Sequence, residues 1–211
     1  MRLSVIIPAH NEEKYIAKTL AKMPDDAEII VVCNGCTDRT FEEAQKFERV
    51  KVFNMPEKSV SKARNYGARM SKGEMLVFLD ADIVPEGNVM KDISACCSNI
   101  GTCLVKPDVD KIIPKVLMKI KSAAHSFGTC TGLIFCTRDI FDRVGGFDEN
   151  LEIGEDGKFL RQAKKLGDYE VVKGYVINNM RRFEQKGYFY VCWFWVKRFF
   201  YPAMKKYEVI R

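Results

Sequence analysis

Four short apolar runs alternate with longer amphipathic stretches over the first hundred residues, and this alternation limits the folds open to the chain. The runs are rich in β-branched and aromatic residues and read LSVIIP (3–8), EIIVV (28–32), VKVF (50–53) and MLVFL (75–79). The stretches between them have a helical pattern and include EEKYIAKTLAKM, TFEEAQKF and SVSKARNYGARMS. Apolar strands spaced by helices predict an α/β fold with a mostly parallel central sheet flanked by helices.

The second half of the chain has a looser pattern. It predicts strands at GTCLV and TGLIFCT, a helix that starts at Pro114, a helix over EDGKFLRQAKKLG that ends at Gly167, and a late strand at YEVVKGYVIN. No internal repeat, low-complexity tract or linker interrupts the sequence. We therefore expect a single domain over residues 1–211.

Charge and composition exclude several classes of protein. The chain is 47% hydrophobic and 29% charged, as in ordinary soluble proteins, and its formal net charge is +6. That charge is too small to indicate a nucleic-acid partner, but it suits phosphate-bearing ligands or an anionic membrane surface. The opening MRLSVIIPAHNEE does not resemble a signal peptide, and no apolar run reaches the ~18 residues of a membrane span. Eight cysteines in such a chain are typical of reduced thiols, so the expected location is cytoplasmic.

Two aspartates follow the fourth apolar run directly. Ligands of parallel sheets bind beyond the carboxyl ends of the strands, and Asp80 and Asp82 occupy such an end. One residue between two carboxylates allows both to face one divalent cation, and oxygen ligands favour Mg²⁺ or Mn²⁺. A second Asp-x-Asp, at Asp108 and Asp110, follows Pro107 without a long strand, and we expect it to be a solvated turn.

The spacing of Cys33 and Cys36 is that of a zinc or redox motif. A structural zinc needs four ligands, however, and the adjacent Cys96 and Cys97 are poorly spaced to complete such a site. The residues that follow Cys36 favour another interpretation, because Thr40 and Glu43 suit a capping box at the start of a helix. The cysteines are therefore interpreted as part of a strand–turn–helix loop, with a zinc or redox protein as the weaker alternative.

Five motifs in order resemble those of the family 2 glycosyltransferases, inverting enzymes of the GT-A fold. They read VIIPAHNEE, VVCNGCTDRT, KARNYGARMSKGEMLVFLDAD, TGLIFCTRDIFDRVGGFDE and GEDGKFLRQAKKLG, and they span residues 4–167. The resemblance implies a nucleotide-sugar-binding half at 1–100, an acceptor half at 101–180 and a C-terminal aromatic and basic helix at 181–211. It also implies transfer of a sugar from a UDP- or GDP-linked donor to an acceptor hydroxyl, on a lipid-linked carrier or a glycan.

The resemblance assigns roles to individual residues. Those expected to border the nucleotide or its diphosphate are Pro8, Ala9, Asn11, Glu12, Asn34, Arg64, Asp80 and Ala81. Asp82, assisted by Asp80, is expected to hold Mg²⁺ or Mn²⁺. The family commonly has two acids where this chain has Cys33 and Asn34, which leaves uracil and guanine both open as the base. Asn11, Glu12 and Arg64 also have ordinary interpretations, as helix-capping or solvated side chains.

Glu155 and Asp156 begin a predicted helix, where the helix dipole stabilises acids whatever their function. Their position in the motif that resembles the family's E-D segment implies a general base that takes a proton from the acceptor. Asp156 is our choice for the base, and Glu155 is the alternate. Gly132 is expected to leave room for the acceptor or the sugar, and Gly67 to allow close packing.

The C-terminal stretch KGYFYVCWFWVKRFFYPAMKKYEVIR combines aromatic and basic residues. Its apolar run, Tyr188 to Val196, suits either a helix that packs across the sheet or an interfacial helix at an anionic bilayer. Peripheral membrane contact through residues 185–206 is therefore one expectation. Arg181 and Arg182 lie just ahead, where they suit closure over a donor diphosphate or a lipid phosphate.

Two other functions remain as alternatives. A nucleotidyltransferase shares acidic metal ligands and a similar sheet, but it would need a glycine-rich, basic loop after the first strand, and PAHNEEK does not supply one. A catalytically silent sugar-nucleotide-binding domain is the second alternative, and the presence of Asp80, Asp82 and Asp156 argues against it.

Overall fold

The structure, a computed structural model, describes residues 1–125, 129–130 and 132–193. Its strands are β1 Leu3–Ala9, β2 Glu28–Asn34, β3 Val50–Met55, β4 Met75–Leu79, β5 Val84–Glu86, β6 Ile100–Pro107, β7 Leu133–Thr137 and β8 Tyr169–Asn178. Its helices are α1 Ile16–Leu20, α2 Thr40–Gln45, α3 Val60–Met70, α4 Val89–Ala95, α5 Ile112–His125, α6 Arg138–Val144, α7 Glu155–Ala163 and α8 Arg181–Lys186. Residues 188–193 are also helical.

These strands form one mixed sheet in the order β3-β2-β1-β4-β7-β6-β8-β5. The pairings of β1 with β2, β2 with β3, β1 with β4 and β6 with β8 are parallel. Only β7 and β5 run against the others, because both pair antiparallel with their neighbours. The mostly parallel sheet predicted from the sequence is confirmed.

The first strands read as continuous apolar runs because helices cover both faces of the sheet. Every residue of β1 is buried, and alternate residues enter different clusters. Val5 and Ile7 pack with Ile16 and Leu20 of the α1 side. Ile6 faces the opposite side, where the cluster contains four packed phenylalanines, Phe78, Phe141, Phe147 and Phe159.

The sheet curls so that β5, the strand at one end, lies near β4 in the middle of the strand order. Only residues 80–83 link β4 to β5, although β5 lies four positions from β4 in the strand order. Four strand spacings of a flat sheet would measure about 19 Å. The linking residues are folded into a turn in which the amide of Ile83 donates to the carbonyl of Asp80, so they cannot span that distance. A register shift between Cys103 and Leu104 marks a bulge at which β6 and β8 bend.

Two helix ends differ from the sequence prediction. α5 begins at Ile112, two residues before Pro114. Proline is tolerated there because the amides of the first turn have no partner within the helix. α7 ends at Ala163 and is followed by turns, so Gly167 does not stop it.

The predicted capping box at the start of α2 is wrong. Thr40 is the first helical residue rather than the N-cap, and its amide donates to the Asp38 carboxylate at 3.1 Å. Glu43 instead pairs with Lys46 on the surface. Asp38 therefore accepts the hydrogen bond of a first-turn amide, the role that the Thr-x-x-Glu pattern had indicated for Thr40 and Glu43.

Within residues 1–125, 129–130 and 132–193, no helix combines the length and the apolar character needed to cross a membrane. The predicted apolar run to Val196 and the membrane-contact segment 185–206 continue past residue 193. Their remaining parts lie outside the described residues.

Candidate active site

The loops after β1 and β2 are joined by side chains at the carboxyl edge of the sheet. Asn34 is buried and donates from Nδ2 to the carbonyl of Ala9 at 2.9 Å, which ties the ends of β2 and β1 together. Asn11 has a left-handed φ of 54°, a conformation that asparagine tolerates better than most residues. Its Oδ1 accepts from the amide of Thr37 at 2.8 Å. The predicted nucleotide-binding loops therefore form one connected surface beyond Pro8 and Ala9.

Cys33 and Cys36 belong to this loop surface. Cys33 is buried, and the Cys36 thiol donates to the carbonyl of Ala9 at 3.4 Å. A hydrogen bond from Cys33 lowers the pKa of Cys36 to about 7, and the same contact raises the pKa of Cys33. In the part of the chain that the structure describes, no three His, Cys, Asp or Glu side chains are grouped as a metal site.

Arg181 follows β8, the last described strand, and reaches the carboxyl ends of β1 and β4. We call the acids at these strand ends, Glu12, Asp80 and Asp82, the donor edge. Its Nη2 donates to Glu12 Oε1 at 2.8 Å and to Asp82 Oδ2 at 2.9 Å. The guanidinium also lies over the ring of Tyr15, at 4.5 Å from the ring centroid. One arginine therefore joins the loop after β1 to the loop after β4.

The carboxylates around Arg181 are held in an unfavourable environment for negative charge. Burial raises the pKa of Glu12 to about 7, although the hydrogen bond from Arg181 opposes the rise. Burial also raises the pKa of Asp82, and the negative charge of Asp80 adds to it. Glu12 Oε2 is buried, and it has no hydrogen-bond partner among the residues that the structure describes. A further positive charge or hydrogen-bond donor would stabilise this edge.

Arg64 connects the donor edge to the start of α7. It is buried in α3, and it donates from Nη2 to Asp80 Oδ1 at 2.8 Å and from Nη1 to Glu155 Oε1 at 2.9 Å. Its guanidinium lies 5.0 Å from the ring centroid of Phe147. The sequence indicated a ligand contact for Arg64, whereas the structure engages it with two carboxylates.

Glu155 and Asp156 are neighbours with different surroundings. Glu155 is 8% exposed and bound to Arg64, and burial raises its pKa. Asp156 is half-buried; its Oδ1 accepts from the amide of Gly157 at 2.7 Å, and its Oδ2 accepts from the Cys130 thiol at 3.6 Å. Glu155 is therefore the acid that forms the salt bridge with Arg64, whereas Asp156 binds the Gly157 amide and the Cys130 thiol.

Lys121 is a residue of this region that the sequence analysis did not identify. Burial lowers its pKa to about 8, and the charges of Cys130, Arg182, Asp156 and Asp80 act on it. The signal lay in helical spacing, because 114, 118, 121 and 125 fall on one side of α5, and Pro114, Met118 and His125 of that set are buried. Lysine at such a position faces the protein rather than the solvent.

Gly132 meets the protein rather than open space. Its φ is +66°, and a Cβ placed there would lie 2.5 Å from Ile83 Cγ1 and 3.4 Å from Asp80 Oδ2. The amide of Asp80 donates to its carbonyl at 2.8 Å. Glycine is thus required for the approach of this segment to the end of β4.

The side chains of the donor edge are chemically suited to bind a divalent cation. Asp80 and Asp82 offer hard oxygen ligands, the charge of each acts on Glu12, and an unpartnered carboxylate oxygen is buried beside them. Asp82 also opens onto a cleft of about 200 Å³ that Lys14 and Lys18 line. Two protein carboxylates are enough for a cation that a diphosphate completes.

Comparisons with known proteins identify the relatives of this chain. The family model described as Glycosyl transferase family 2 matches residues 4–98. Glycosyltransferase AglE of Haloferax volcanii is 28% identical over 188 residues, which cover 78% of this chain and 62% of AglE. The dolichol-phosphate mannosyltransferase of Pyrococcus furiosus is 30% identical over 161 residues, 70% of this chain and 45% of that protein. The chain thus spans about three-fifths or less of these relatives.

Solved structures share the fold at low sequence identity. Staphylococcus aureus TarS 1–349 in complex with UDP-GlcNAc has a TM-score of 0.71 and 23% identity, over 85% of this chain and 58% of that one. The mannosyltransferase PcManGT from Pyrobaculum calidifontis, in complex with GDP-Man and Mn²⁺, has a TM-score of 0.68 and 18% identity, over 84% of this chain and 56% of that one. With its strand-end acids and its order of motifs, this chain belongs to glycosyltransferase family 2 and has the GT-A fold.

Proposed function

We propose that this domain transfers a sugar from a nucleotide-diphospho-sugar to an acceptor hydroxyl, with inversion at the anomeric carbon. The observation that supports this most is the bridge made by Arg64. It holds Asp80, at the donor edge, and Glu155, beside Asp156, on one buried guanidinium. A donor-binding edge and a candidate base are thereby kept next to each other, as direct displacement requires.

The proposal extends to the organisation of the domain. Residues 1–100 form the nucleotide-sugar-binding half, 101–180 the acceptor half and 181–211 the C-terminal segment of one domain over 1–211. The nucleotide lies across the loops after β1 and β2, bordered by Pro8, Ala9, Asn11, Glu12 and Asn34. UDP and GDP both remain candidates, since TarS and PcManGT are seen with UDP-GlcNAc and GDP-Man.

The charged residues of the donor edge serve the diphosphate. Asp82 and Asp80 would hold Mg²⁺ or Mn²⁺, and the cation would supply positive charge for the leaving diphosphate. Arg181 provides a second positive charge at this edge, with its guanidinium already ordered by Glu12 and Tyr15. Ala81 lies between the two aspartates and borders the donor in this proposal.

The proton of the acceptor hydroxyl goes to Asp156. As the acceptor oxygen attacks the anomeric carbon, the Asp156 carboxylate accepts the proton and the nucleoside diphosphate leaves from the opposite face. Glu155 acts as a positioning residue, because its salt bridge to Arg64 fixes the first turn of α7. Lys121 lies near enough to stabilise the charge on Asp156 before the proton arrives.

A thermal-unfolding screen of UDP- and GDP-sugars with Mg²⁺ or Mn²⁺ tests the donor and the metal together. A donor at about 100 times its Kd stabilises the fold by about 2.7 kcal/mol, which raises the Tm of a chain this size by about 5–10 °C. We expect this shift to need the cation and to disappear in Asp82→Ala.

The matched control is Asp110→Ala, which removes an exposed carboxylate from the other Asp-x-Asp and leaves the shift unchanged. An equal shift in excess chelator would exclude the metal assignment. A screen in which no nucleotide-sugar shifts the Tm would contradict the proposed function itself.

A further inference from the structure

Helix α5 has an exposed apolar side opposite its buried side. Its inner side buries Pro114, Met118 and His125. Ile112, Ile113, Val116 and Ile120 are 81%, 61%, 49% and 62% exposed. At about 100° per residue these four side chains cluster on the side of the helix opposite the buried set. We call them the α5 ridge.

An exposed apolar ridge is unusual on a helix whose opposite side packs on the core. The outward side of such a helix normally carries polar residues. Each fully buried isoleucine or valine side chain is stabilised by roughly 1.5–3 kcal/mol relative to an exposed one. The α5 ridge therefore favours a partner that covers it.

The charges along α5 indicate the chemistry of that partner. The helix contains no acidic residue. Lys111, Lys115 and Lys119 are exposed and follow one flank of the ridge, and Lys115 pairs with Asp110 just before the helix. A row of lysines beside aliphatic side chains is complementary to an anionic surface with an apolar interior.

A second group of exposed apolar residues follows α8, and the loop before α8 is tied to the loop before α5. The amide of Asp108 donates to the carbonyl of Asn178, and the amide of Met180 donates to the Asp108 carboxylate, both at 3.1 Å. Asp108 thus ties the loop before α5 to the loop before α8. The helical residues beyond α8 expose Phe189, Tyr190 and Trp193 at 84%, 51% and 51%. Tyrosine and tryptophan are enriched at membrane–water interfaces.

We propose that the α5 ridge, with the lysines on its flank, is a docking surface for the headgroup region of an anionic lipid bilayer. The inference stands independently of the proposed sugar transfer, since it concerns binding alone. Docking of this kind would also fix the distance between the bilayer and the candidate base. The inner side of α5 carries Lys121, beside Asp156, so a bilayer on the outer side lies about one helix diameter, ~10 Å, from the candidate base.

Vesicle co-sedimentation of the full chain tests the proposal. The probes are vesicles of phosphatidylcholine alone and vesicles with 30% phosphatidylglycerol. We expect the protein to sediment with the anionic vesicles, and Ile112→Gln/Val116→Gln/Ile120→Gln to lower the partition coefficient at least tenfold. Met70→Gln, which changes an exposed apolar residue of α3, is the control and should sediment like the parent protein.

The lysines are tested separately from the ridge. Each lysine near an anionic surface contributes about 1 kcal/mol, or about fivefold in partition. We expect Lys115→Gln/Lys119→Gln to lower binding about 25-fold at low salt, and the difference to shrink in high salt. Lys72→Gln/Lys91→Gln removes the same charge from exposed positions elsewhere and should have a smaller effect.

Three results would overturn the proposal. The first is parent protein that stays in the supernatant with anionic vesicles. The second is a parent dimer that the triple substitution converts to a monomer in light scattering, with vesicle binding unchanged, because the ridge would then join two copies of the chain. The third is a Tm lowered by several degrees in the triple variant without vesicles, because the ridge would then be covered by the chain itself.

Discussion

Arg64 gives two adjacent acids different chemistry. Glu155 and Asp156 differ by one methylene, yet only Glu155 lies on the buried guanidinium. Asp156 accepts hydrogen bonds from a backbone amide and a thiol. Glu155 would have to give up its ion pair with Arg64 to take up a proton, which favours Asp156 as the base.

Asp156→Asn should slow transfer without weakening donor binding. An amide cannot take the acceptor proton, and loss of a general base typically costs ~10²–10⁴-fold in rate. Single-turnover transfer measured beside donor affinity separates the two effects. A variant that transfers at the parent rate would place the base elsewhere.

Glu155→Gln is the matched variant, and we expect it to lower the stability of the fold rather than the rate of transfer. It replaces one partner of a buried ion pair, which should lower the free energy of unfolding by about 2–3 kcal/mol, while Gln retains an acceptor for Arg64. Urea unfolding of both variants gives the comparison. A stable Glu155→Gln protein that has lost transfer would reverse the two roles.

At the level of single residues, sequence patterns located candidate acids but not their partners. Asp80 and Asp82 follow β4 as the strand-end pattern predicted. Arg181 was predicted only to close over a phosphate, and its contacts with Glu12 and Asp82 join residues 169 and 99 positions apart. Local periodicity contains no information about such pairs, because they depend on the curl of the whole sheet.

Among the elements, α3 lies close to β1 and β2 because it presents small residues to them. A Cβ on Gly67 would lie 2.5 Å from Ile6 Cγ2 and 3.3 Å from Val32 Cγ2. Both of these methyl groups belong to buried strand residues that cannot move freely. The close packing that the sequence indicated for Gly67 is what the structure shows.

Gly67→Ala should therefore destabilise the fold, although alanine favours helices. Overpacking of a well-filled core costs about 1–3 kcal/mol, which exceeds the ~1 kcal/mol gained in helix propensity. Gly157→Ala in α7 is the control, because its Cβ would meet only the end of the flexible Arg161 side chain, at 3.2 Å. We expect a lowered Tm for Gly67→Ala and an unchanged or raised Tm for Gly157→Ala. The opposite order would contradict this account of the packing.

The sequence predicted strands well where both faces of the strand are buried, and it predicted short elements poorly. β1, β2 and β4 have continuous apolar runs, and their bounds match the predicted runs closely. β5 has three residues, too few for any periodicity to emerge. The stretch EEKYIAKTLAKM has a helical pattern throughout, yet only Ile16–Leu20 forms α-helix, because tertiary contacts decide the ends of so short an element.

For the molecule as a whole, Glu28 joins several elements at the edge of the sheet opposite the site. Its carboxylate accepts from Ser4 Oγ at 2.6 Å, from the amide of Lys72 at 2.7 Å and from Lys51 Nζ at 2.7 Å. Burial alone would raise the pKa of Glu28, but these hydrogen bonds lower it to about 2. The ionised form is therefore stabilised by folding.

The Glu28 carboxylate should make the free energy of unfolding depend on pH in the acid range. Because the pKa of Glu28 in the folded protein is below its ordinary value of 4.5, its stabilisation is complete above pH 4.5 and is lost as the pH falls toward 2. Glu28→Gln should lower the free energy of unfolding by about 1–3 kcal/mol at pH 7, and the difference from the parent should shrink toward pH 2. Urea unfolding across this range measures the difference.

Glu43→Gln is the control, because it breaks only the surface pair with Lys46. It should lower the free energy of unfolding by about 0.5 kcal/mol or less. A Glu28→Gln difference that is constant with pH would contradict the assignment.

The fold class could be predicted from the order of elements, but the curl of the sheet could not. Alternating strands and helices specify a parallel sheet, and the structure has one over β3-β2-β1-β4. The antiparallel β7 and the bend of β6 and β8 have no comparable signature, because they follow from a bulge and from a four-residue link. The site depends on both, since they bring α7 and Arg181 to the donor edge.

The long separation between Arg181 and its partners has a consequence for the order in which the chain is made. The three acids of the donor edge, Glu12, Asp80 and Asp82, are synthesised before residue 83, whereas the arginine that neutralises two of them follows Asp82 by 99 positions. During synthesis the first four strands emerge with this concentration of negative charge unopposed by Arg181. Closing so long a segment costs chain entropy, which the packing of later elements such as β6 and β8 offsets. The ribosome therefore produces the donor edge early, and its positive counterpart arrives only when nearly all of the described chain has emerged.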